Sequence, residues 1–235
     1  MRKAICYGMI GCGMMGQEHL RNIALVDGAR AGVIFEPDAD MRAEAARIAP
    51  EARFVDSLAD MLATDADALV IASPNHLHLP QLEQIVQARS RPVLVEKPLF
   101  TDATDLDRVR ALARPAPVWV AMEYRYMPPV AALIDAAQQA TGGIRMLTIR
   151  EHRFPFLTKV GHWNRFNAQT GGTLVEKCCH FFDLMRHILH DDPVRIMASG
   201  GQDVNHLDEV YDSKSPDIWD NAYVIVDFAQ GARAM

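Results

Sequence analysis

The sequence has few cysteines, fewer basic than acidic residues and no long apolar run. Its four cysteines among 235 residues, Cys6, Cys12, Cys178 and Cys179, lack the spacing of a disulfide framework or a zinc site. We therefore expect reduced thiols, a cytoplasmic protein and no bound metal. No stretch approaches the ~18 consecutive apolar residues of a transmembrane helix, which argues against a membrane protein.

Lysine and arginine are outnumbered by aspartate and glutamate, 24 to 30, and the formal net charge is −6. An acidic chain without a cluster of basic residues is poorly suited to nucleic acid or an anionic membrane surface, so neither is an expected partner. The hydrophobic content of 49% and the charged content of 23% are ordinary for a globular protein. The length allows one large domain or two small ones, at about 100–200 residues per domain.

In the first half of the chain, short apolar runs alternate with segments of helical periodicity. Strands are predicted over residues 3–10, 31–35, 52–55, 66–72, 93–95 and 118–121, and helices over residues 17–26, 39–48, 57–62, 76–88 and 102–112. The predicted helix caps are Ser57, Asn75 and Thr101. The first apolar run meets glycine-rich sequence without a cleavage site, which favours a strand over a signal peptide. This alternation indicates βαβ units, so we predict a doubly wound parallel sheet of the Rossmann type in residues 1–121.

A glycine-rich loop joins the first predicted strand to the first helix. Gly11, Gly13 and Gly16 have the spacing of the dinucleotide-binding fingerprint in its full strand–loop–helix–strand context. Gly11 allows the tight turn, Gly13 lets the backbone approach a pyrophosphate, and Gly16 lets the helix pack closely on the strand. The helix N-terminus then offers N–H groups to the phosphates. A structural turn without a ligand is the alternative.

An acidic residue ends the second predicted strand. Glu36 lies 20 residues after Gly16, where a carboxylate can accept hydrogen bonds from both ribose hydroxyls and would repel a 2′-phosphate. This position favours NAD over NADP. Asp38 is close enough to share the role, and a solvated acid at a strand end is the alternative interpretation of Glu36.

The run Val93-Leu94-Val95 ends abruptly in an acid, a base and a proline, Glu96-Lys97-Pro98. In an open α/β sheet, ligands bind beyond the carboxyl ends of the strands, which is where Lys97 is expected. An ammonium there can serve a cofactor and a substrate at once. An ordinary strand end with a solvated lysine explains this hexapeptide equally well. At the end of the preceding strand, His76 and His78 could line the same site, although packing roles fit them as well.

The second half of the chain has a different pattern. A helix is predicted over residues 128–140, an alternating strand over 144–152, a long helix over 173–189, and strands over 194–199 and 222–228. We therefore predict a separate α+β domain, residues 122–235, with a mostly antiparallel open sheet. The chain stops directly after the turn signal Gln230-Gly231, at what looks like the opening of another strand. We expect the sequence to be a fragment and this sheet to be incomplete.

Glu176 and His180 are four residues apart on the long predicted helix and should share one of its faces. Two interpretations stay open. A histidine beside a carboxylate can be held in one tautomer and take a proton, whereas a surface pair at this spacing contributes only a few tenths of a kcal/mol. A metal site or a redox pair at Cys178-Cys179-His180 is disfavoured, because consecutive helical residues point in different directions and lack the CxxC geometry.

Taken in order, five segments resemble the Gfo/Idh/MocA oxidoreductase family, which is typified by glucose–fructose oxidoreductase and inositol dehydrogenases. They are residues 11–16 with the glycine loop, residues 73–78 (Ser-Pro-Asn-His-Leu-His), Glu96-Lys97-Pro98, Tyr124-Arg125-Tyr126 and residues 171–180. Each is common by chance, but five in this order are not. One departure is Glu176, which stands where many members have aspartate. The family also usually continues beyond the point where this chain ends.

The resemblance implies a dehydrogenase that transfers a hydride between NAD, or less favourably NADP, and a carbinol carbon of a sugar, polyol or cyclitol. It assigns His180 as the base that removes the hydroxyl proton, Lys97 as the donor to the same oxygen, and Glu176 as a partner of Lys97. The resemblance to some family members also implies a cis Lys97–Pro98 bond. The residues implied in cofactor binding are Gly11, Gly13, Met14, Met15, Gly16, Glu36, Ser73, Pro74, Asn75, His78, Glu96 and Lys97. Those implied in substrate binding are Arg125, His152, Arg153, Trp163 and Asn164.

Two other functions are compatible with the same family. One is a nucleotide-binding regulator without turnover, against which the presence of both Lys97 and His180 speaks. The other is a glycosidase that holds NAD tightly and oxidises its substrate transiently. With a complete second sheet, the family resemblance also implies a homo-oligomer, a dimer or a tetramer.

Overall fold

The computed structural model describes residues 4–113 and 116–235. The chain divides into two compact units. The first consists of Met1–Ala121 with Lys159–Trp163, and the second of Met122–Thr158 with Asn164–Met235. Lys3, the first residue of the first predicted strand, lies outside the described residues.

The first unit contains a six-stranded parallel sheet. Its strands are β1 (Ile5–Ile10), β2 (Ala29–Phe35), β3 (Arg53–Val55), β4 (Ala68–Ile71), β5 (Val93–Val95) and β6 (Val118–Val120). The strand order is β3-β2-β1-β4-β5-β6, and each neighbouring pair is parallel. The chain reverses its direction of travel across the sheet between β1 and β4, the switch point where doubly wound sheets bind ligands. The predicted Rossmann sheet is confirmed.

Helices connect these strands. They are α1 (Met14–Ala24), α2 (Ala39–Ile48), α3 (Leu58–Leu62), α4 (His78–Ala88) and α5 (Leu106–Ala111), with 3₁₀ turns at Asn75–Leu77 and Ala103–Asp105. Ser57 caps α3 as predicted, since its hydroxyl accepts the Asp60 N–H at 3.0 Å. Two other predicted caps are wrong. The residue before α4 is Leu77 instead of Asn75, and Asp102 instead of Thr101 accepts an N–H, from Thr104, at 2.8 Å.

The core of the first unit lies on both faces of the sheet. On β1, Met9 packs in one apolar cluster with Leu20 and Ile34, whereas the next residue, Ile10, packs in the other with Leu69. Successive side chains of a strand point to opposite faces, so a strand covered by helices on both faces must be apolar at every position. This burial explains the continuous apolar runs that the sequence shows.

The second unit contains a four-stranded sheet and four α-helices in its described residues. The helices are α6 (Pro128–Thr141), α7 (Asn167–Thr170), α8 (Thr173–Glu176) and α9 (Cys179–Leu189), and the strands are β7 (Met146–Leu147), β8 (Pro193–Gly201), β9 (Asn221–Phe228) and β10 (Arg233–Ala234). The order is β7-β10-β9-β8, with β8, β9 and β10 antiparallel and β7 parallel to β10. The predicted mostly antiparallel sheet is confirmed, and so is the strand that opens after Gly231.

Two predicted elements of this unit are wrong in extent. The strand expected over residues 144–152 pairs with β10 only at Met146 and Leu147. The helix expected over residues 173–189 is two helices. At the break, the Cys178 N–H donates to the carbonyl of Thr173, five residues back, at 3.2 Å, and the next turn restarts from the carbonyl of Cys178. This wider turn ends α8 at Glu176.

The two faces of the second sheet differ. One face packs in an apolar cluster that includes Met185, Val226 and Phe228. On the other, Tyr223 and Ile225 are exposed, opposite Ser199 and Met197 of β8. Among the residues that the structure describes, no helix is both long enough and apolar enough to cross a membrane.

Candidate active site

The glycine loop of the first unit is fixed by close backbone contacts. Gly11 has φ +88°, and a Cβ there would lie 2.6 Å from the Ser73 nitrogen; a Cβ on Gly16 would lie 2.3 Å from the Gly11 carbonyl oxygen. Glycine is therefore required at both positions. At Gly13, by contrast, a Cβ would meet nothing within 4 Å, so this side of the loop faces open space.

Glu36 is buried beneath this loop. Its carboxylate accepts the Cys12 N–H at 2.5 Å and the Asp38 N–H at 2.8 Å. The solvated interpretation of Glu36 is therefore wrong. Asp38 has another task, because its carboxylate caps α2 through the N–H groups of Asp40 and Met41. Burial, together with the charge of Glu36, raises the pKa of the Cys12 thiol to about 12, which keeps it protonated.

These features fit a dinucleotide. The N-cap of α1 is Gly13, which has no side chain to cap the first turn. The first N–H groups of a helix lack partners within the helix, so those of Met14, Met15 and Gly16 are available to an anion such as a pyrophosphate. The Glu36 carboxylate, fixed by two backbone N–H groups, keeps lone pairs that can accept from ribose hydroxyls. The open side at Gly13 leaves room for the ligand.

The loop after β4 is tied to the loop after β5 by His78. The imidazole is buried, and its Nδ1 and Nε2 lie 2.7 Å from the Pro98 carbonyl oxygen and 2.8 Å from that of Ser73. Burial lowers the pKa of His78, although both carbonyls oppose the shift. Ser73 donates to Gln81 at 2.6 Å, and Asn75 is buried. Because the His78 ring lies between a carbonyl of each loop, we assign it to positioning these two loops. Pro74 follows Ser73 directly in the first of them.

A histidine that the sequence analysis missed holds Glu96. His19, on α1, lies 2.7 Å from the buried Glu96 carboxylate, and the Lys97 N–H donates to the same carboxylate at 3.2 Å. Burial raises the pKa of Glu96, but the hydrogen bond and charge of His19 and the charge of Lys97 outweigh it, and the net shift is downward. His19 is 77 residues from Glu96 in the sequence, so no local pattern connects the two. The one sequence signal for His19 is its position three residues after Gly16 of the glycine loop.

This pair predicts a pH-dependent contribution to stability. The pKa of Glu96 is lower in the folded chain than its ordinary 4.5, so ionisation stabilises the folded state above pH 4.5, and this contribution is lost as the pH falls through the folded-state pKa. Glu96→Gln should lower the free energy of unfolding near pH 6 by on the order of 1 kcal/mol, and the difference should shrink towards pH 3. Urea unfolding at several pH values measures it, with the exposed Glu51→Gln as control. A difference independent of pH would contradict the assignment.

Lys97 follows Glu96 at the carboxyl end of β5, and its residue is half-buried. Partial burial is compatible both with a solvated lysine at an ordinary strand end and with a lysine that serves a ligand. The Lys97–Pro98 peptide bond is cis, as the resemblance predicts. In the same unit, Trp163 is buried, with the His76 ring 6.5 Å away edge-on and the Lys159 ammonium 4.8 Å from its ring centre.

In the second unit, His180 is buried at the start of α9, with 2% of its surface exposed. The Tyr124 ring stacks on the imidazole, with ring centres 4.2 Å apart and planes within 5°. The His180 Nε2 lies 3.4 Å from the carboxylate of Glu123, whose side chain is 47% exposed. A buried ring that is held flat and has a carboxylate leading to solvent is suited to accepting and releasing a proton.

Glu176 is also buried, with 5% of its surface exposed. The surface-pair interpretation of Glu176 and His180 is therefore wrong. The single shared helix face is wrong as well, because Glu176 is the last residue of α8 and His180 belongs to α9. The sequence analysis missed Glu123, although it directly precedes the Tyr124-Arg125-Tyr126 segment that the resemblance singled out.

Lys177 was also missed. It occupies the break between α8 and α9, and its side chain is only 12% exposed. Its ammonium donates a hydrogen bond to the Tyr124 hydroxyl and lies 3.3 Å from the Glu151 carboxylate. Burial raises the pKa of the neighbouring Cys178, and all four cysteines are free thiols. Among the described residues, no group of three or more His, Cys, Asp and Glu side chains could hold a metal ion.

The residues implied in substrate binding have varied surroundings. Arg125 donates to both carboxylate oxygens of Asp183, through Nε at 2.6 Å and through Nη2. His152 is exposed and accepts from Arg150 at 2.9 Å, and Asn164 donates to the Leu157 carbonyl at 2.8 Å. Arg153 lies against two phenylalanine rings, Phe154 and Phe156, at 5.4 and 5.0 Å. Asp183 thus occupies the guanidinium of Arg125, whereas Arg153 is exposed.

Comparison with known proteins finds a family match for each of the two units. The model of the oxidoreductase family with an NAD-binding Rossmann fold, Gfo/Idh/MocA, matches residues 5–124, and that of its C-terminal α/β domain matches residues 137–235. Inositol 2-dehydrogenase of Corynebacterium glutamicum is 32% identical over 191 residues, which cover 79% of this chain and 54% of that protein. The chain thus spans about half the length of this relative.

Solved structures agree with this placement. The WlbA dehydrogenase of Bordetella pertussis, in complex with NADH and UDP-GlcNAcA, has a TM-score of 0.79 and 26% identity, covering 99% of this chain and 69% of that one. A myo-inositol dehydrogenase of Corynebacterium glutamicum has a TM-score of 0.80, and the match covers 98% of this chain and 67% of that one. At 22% sequence identity, this similarity shows only that the two proteins share a fold. The chain belongs to the Gfo/Idh/MocA oxidoreductase family, with that family's NAD-binding Rossmann fold followed by its C-terminal α/β domain.

Proposed function

We propose that this protein is an NAD-dependent dehydrogenase that oxidises a carbinol of a sugar, polyol or cyclitol. The observation that carries the proposal is the buried imidazole of His180, stacked on Tyr124 and close to the Glu123 carboxylate, in a chain that also has a dinucleotide-binding fold. A protein that only senses a nucleotide has no need of such a buried titratable ring. Residues 1–121 then bind the cofactor and residues 122–235 the substrate.

Each named residue has a chemical task in this proposal. Bound NAD supplies the hydride acceptor. The Lys97 ammonium donates a hydrogen bond to the substrate hydroxyl oxygen and stabilises the negative charge that develops there. His180 accepts the hydroxyl proton, and Glu123, half in solvent, carries it onward. Glu176 is buried and takes the charge-coupling role that the family resemblance implies.

The relatives support the proposed substrate class. Curated proteins that match this chain include inositol 2-dehydrogenases and a rhizopine catabolism protein, MocA. The first substrates to test are therefore cyclitols, then polyols and aldoses. Of the residues implied in substrate contact, Arg153 and His152 are exposed, and we assign them to hydroxyl recognition. Trp163 and Asn164, implied in the same contact, are buried, and the Asn164 amide already donates to the Leu157 carbonyl. Arg125 instead holds Asp183.

The cofactor preference is testable at Glu36. Glu36→Ser should erode the discrimination against NADP by about tenfold or more, because the carboxylate that repels a 2′-phosphate is removed. The ratio of kcat/KM with NAD to that with NADP measures the effect, and Glu51→Ser, a change at an exposed acid, is the control. An unchanged ratio would show that Glu36 does not select the cofactor.

The experiment that tests the proposed function is a substrate panel. NADH formation is followed by absorbance with NAD and inositol isomers, polyols and aldoses, and each reaction is repeated with Lys97→Ala. Turnover that the variant loses supports the dehydrogenase. Confirmed NAD binding without turnover on the whole panel would refute it and favour a regulator. NAD that stays bound through purification while a glycoside is hydrolysed would favour the glycosidase.

We also propose that the protein is a cytoplasmic homo-oligomer, a dimer or a tetramer. Its four cysteines are free thiols, as expected in a reducing compartment. The outer face of the second sheet exposes Tyr223, Ile225, Met197 and Met146, an apolar surface suited to a second copy. Sedimentation velocity measures the assembly, and a monomer at all concentrations would contradict it.

A further inference from the structure

Lys177 lies in an unusual place for a lysine. Its main chain belongs to the wide turn where α8 ends, and the Cys178 N–H reaches back five residues to Thr173. A regular helix would continue through this position. The break coincides with a side chain that is nearly buried and whose charged end faces the Tyr124 hydroxyl and the Glu151 carboxylate.

Removing an ammonium from water costs free energy, and a buried ion pair recovers that cost only with good geometry and further hydrogen bonds. The Lys177 ammonium has both, since Glu151 supplies the opposite charge at 3.3 Å and the Tyr124 hydroxyl accepts a hydrogen bond. The Glu151 side chain is 28% exposed, so the pair is only partly buried, and such a pair is weak evidence for a role in stability. It does fix the position of the tyrosine hydroxyl.

The position of the Tyr124 ring matters because of what it covers. It lies flat on the His180 imidazole, with ring centres 4.2 Å apart and planes 5° apart. Tyr124 is part of a short 3₁₀ turn, Glu123–Tyr126, whose preceding residue Glu123 meets His180 Nε2 at 3.4 Å. One short segment therefore sets both the plane of the imidazole and the partner of its Nε2, and Lys177 anchors that segment at the hydroxyl of Tyr124.

We propose that Lys177 is a positioning residue for His180. Through its hydrogen bond to the Tyr124 hydroxyl, Lys177 holds the tyrosine ring against the imidazole. The stacked ring in turn fixes the orientation of the His180 imidazole when it accepts a proton. Lys177 touches no reacting atom in this role. The proposal rests on the proposed function for the role of His180 in turnover, whereas the effect of Lys177 on the ring geometry stands independently of it.

The experiment combines one spectroscopic and one kinetic measurement on the full chain. Lys177→Met removes the charge and the donor, Lys177→Arg restores them, and Tyr124→Phe removes only the hydroxyl that Lys177 holds. Lys214→Met, a change at an exposed lysine, is the control. The imidazole signals are assigned with His180→Gln, and Tyr124→Leu gives their position without the stacked ring.

With carbon-13-labelled histidine, the His180 signals should carry the upfield ring-current shift of the Tyr124 ring. In Lys177→Met and Tyr124→Phe they should move towards their position in Tyr124→Leu, and in Lys177→Arg they should move back. On an active substrate, kcat should fall by about tenfold or more in the first two variants with an unchanged KM for NAD, because small misplacements of catalytic groups are costly. Lys177→Met and Tyr124→Phe combined should cost no more than either alone.

Unchanged His180 signals in Tyr124→Phe, a variant that lacks a single oxygen atom, would overturn the proposal even if Lys177→Met fails to fold. If no substrate in the panel turns over, the spectroscopic result alone decides it, so the failure of the proposed function is separate from the failure of this inference. Additive effects of the two substitutions on kcat would also overturn it.

Discussion

Lys97→Ala is expected to lower kcat for carbinol oxidation by about 10²–10³-fold, as the loss of one donor to a developing oxyanion does in other enzymes. The Lys97 residue is half-buried at the carboxyl end of β5, and the charge of its ammonium is already felt by the buried Glu96 carboxylate, whose pKa it helps to lower. In the proposed mechanism, an alanine there leaves the substrate oxygen without a cation. The glycine loop and Glu36 are untouched, so the Kd for NAD should change far less than kcat. Initial rates and fluorescence titration with NADH measure the two quantities.

Two further variants sharpen this test. Lys97→Arg keeps the positive charge but replaces a compact ammonium by a planar fork, so it should restore only part of the activity. Lys214→Ala, at an exposed lysine of the second unit, should behave as the native chain. A kcat for Lys97→Ala within twofold of the native value, on a substrate that is turned over, would remove Lys97 from the reaction.

The first unit was predictable because its signals are local. A buried strand, a glycine loop and an amphipathic helix each have a pattern within about a dozen residues, and the loop glycines are required by contacts with their immediate neighbours in the fold. The parallel order of the sheet then follows from the alternation of the elements. The errors in this unit fall at helix ends, where Asp102 competes with Thr101 for the same turn.

The second unit shows what local patterns miss. The residues around His180 come from places far apart in the sequence: Tyr124 and Glu123 precede it by more than fifty positions, and Glu151 reaches Lys177 from another segment. Helical periodicity continues smoothly through residues 173–189, so it cannot report that the backbone opens at Cys178. The same holds for His19 and Glu96. Such pairs exist only in the folded chain, and a single sequence carries no record of them.

His180→Ala is expected to lower kcat by about 10²–10⁴-fold, the range that general acid–base catalysis contributes. We assign the proton of the substrate hydroxyl to the His180 imidazole. The imidazole is buried, and the partly exposed Glu123 carboxylate links it to solvent. Without it, the acid limb of the profile of kcat/KM against pH, which reports protonation of the base, should disappear. The substitution also leaves a space the size of an imidazole beside the Tyr124 ring, so added imidazole should restore part of the rate.

The matched control is His187→Ala, seven residues further along α9, where a half-buried histidine lies near His190 and away from the site. It should keep the native pH profile and should not respond to imidazole. If His180→Ala keeps the acid limb, another group is the base. Glu123→Gln then tests the role of Glu123. If the Glu123 carboxylate only relays the proton, the variant should turn over more slowly and small acidic buffers should restore part of the rate. If the carboxylate is itself the base, the variant should lose the acid limb.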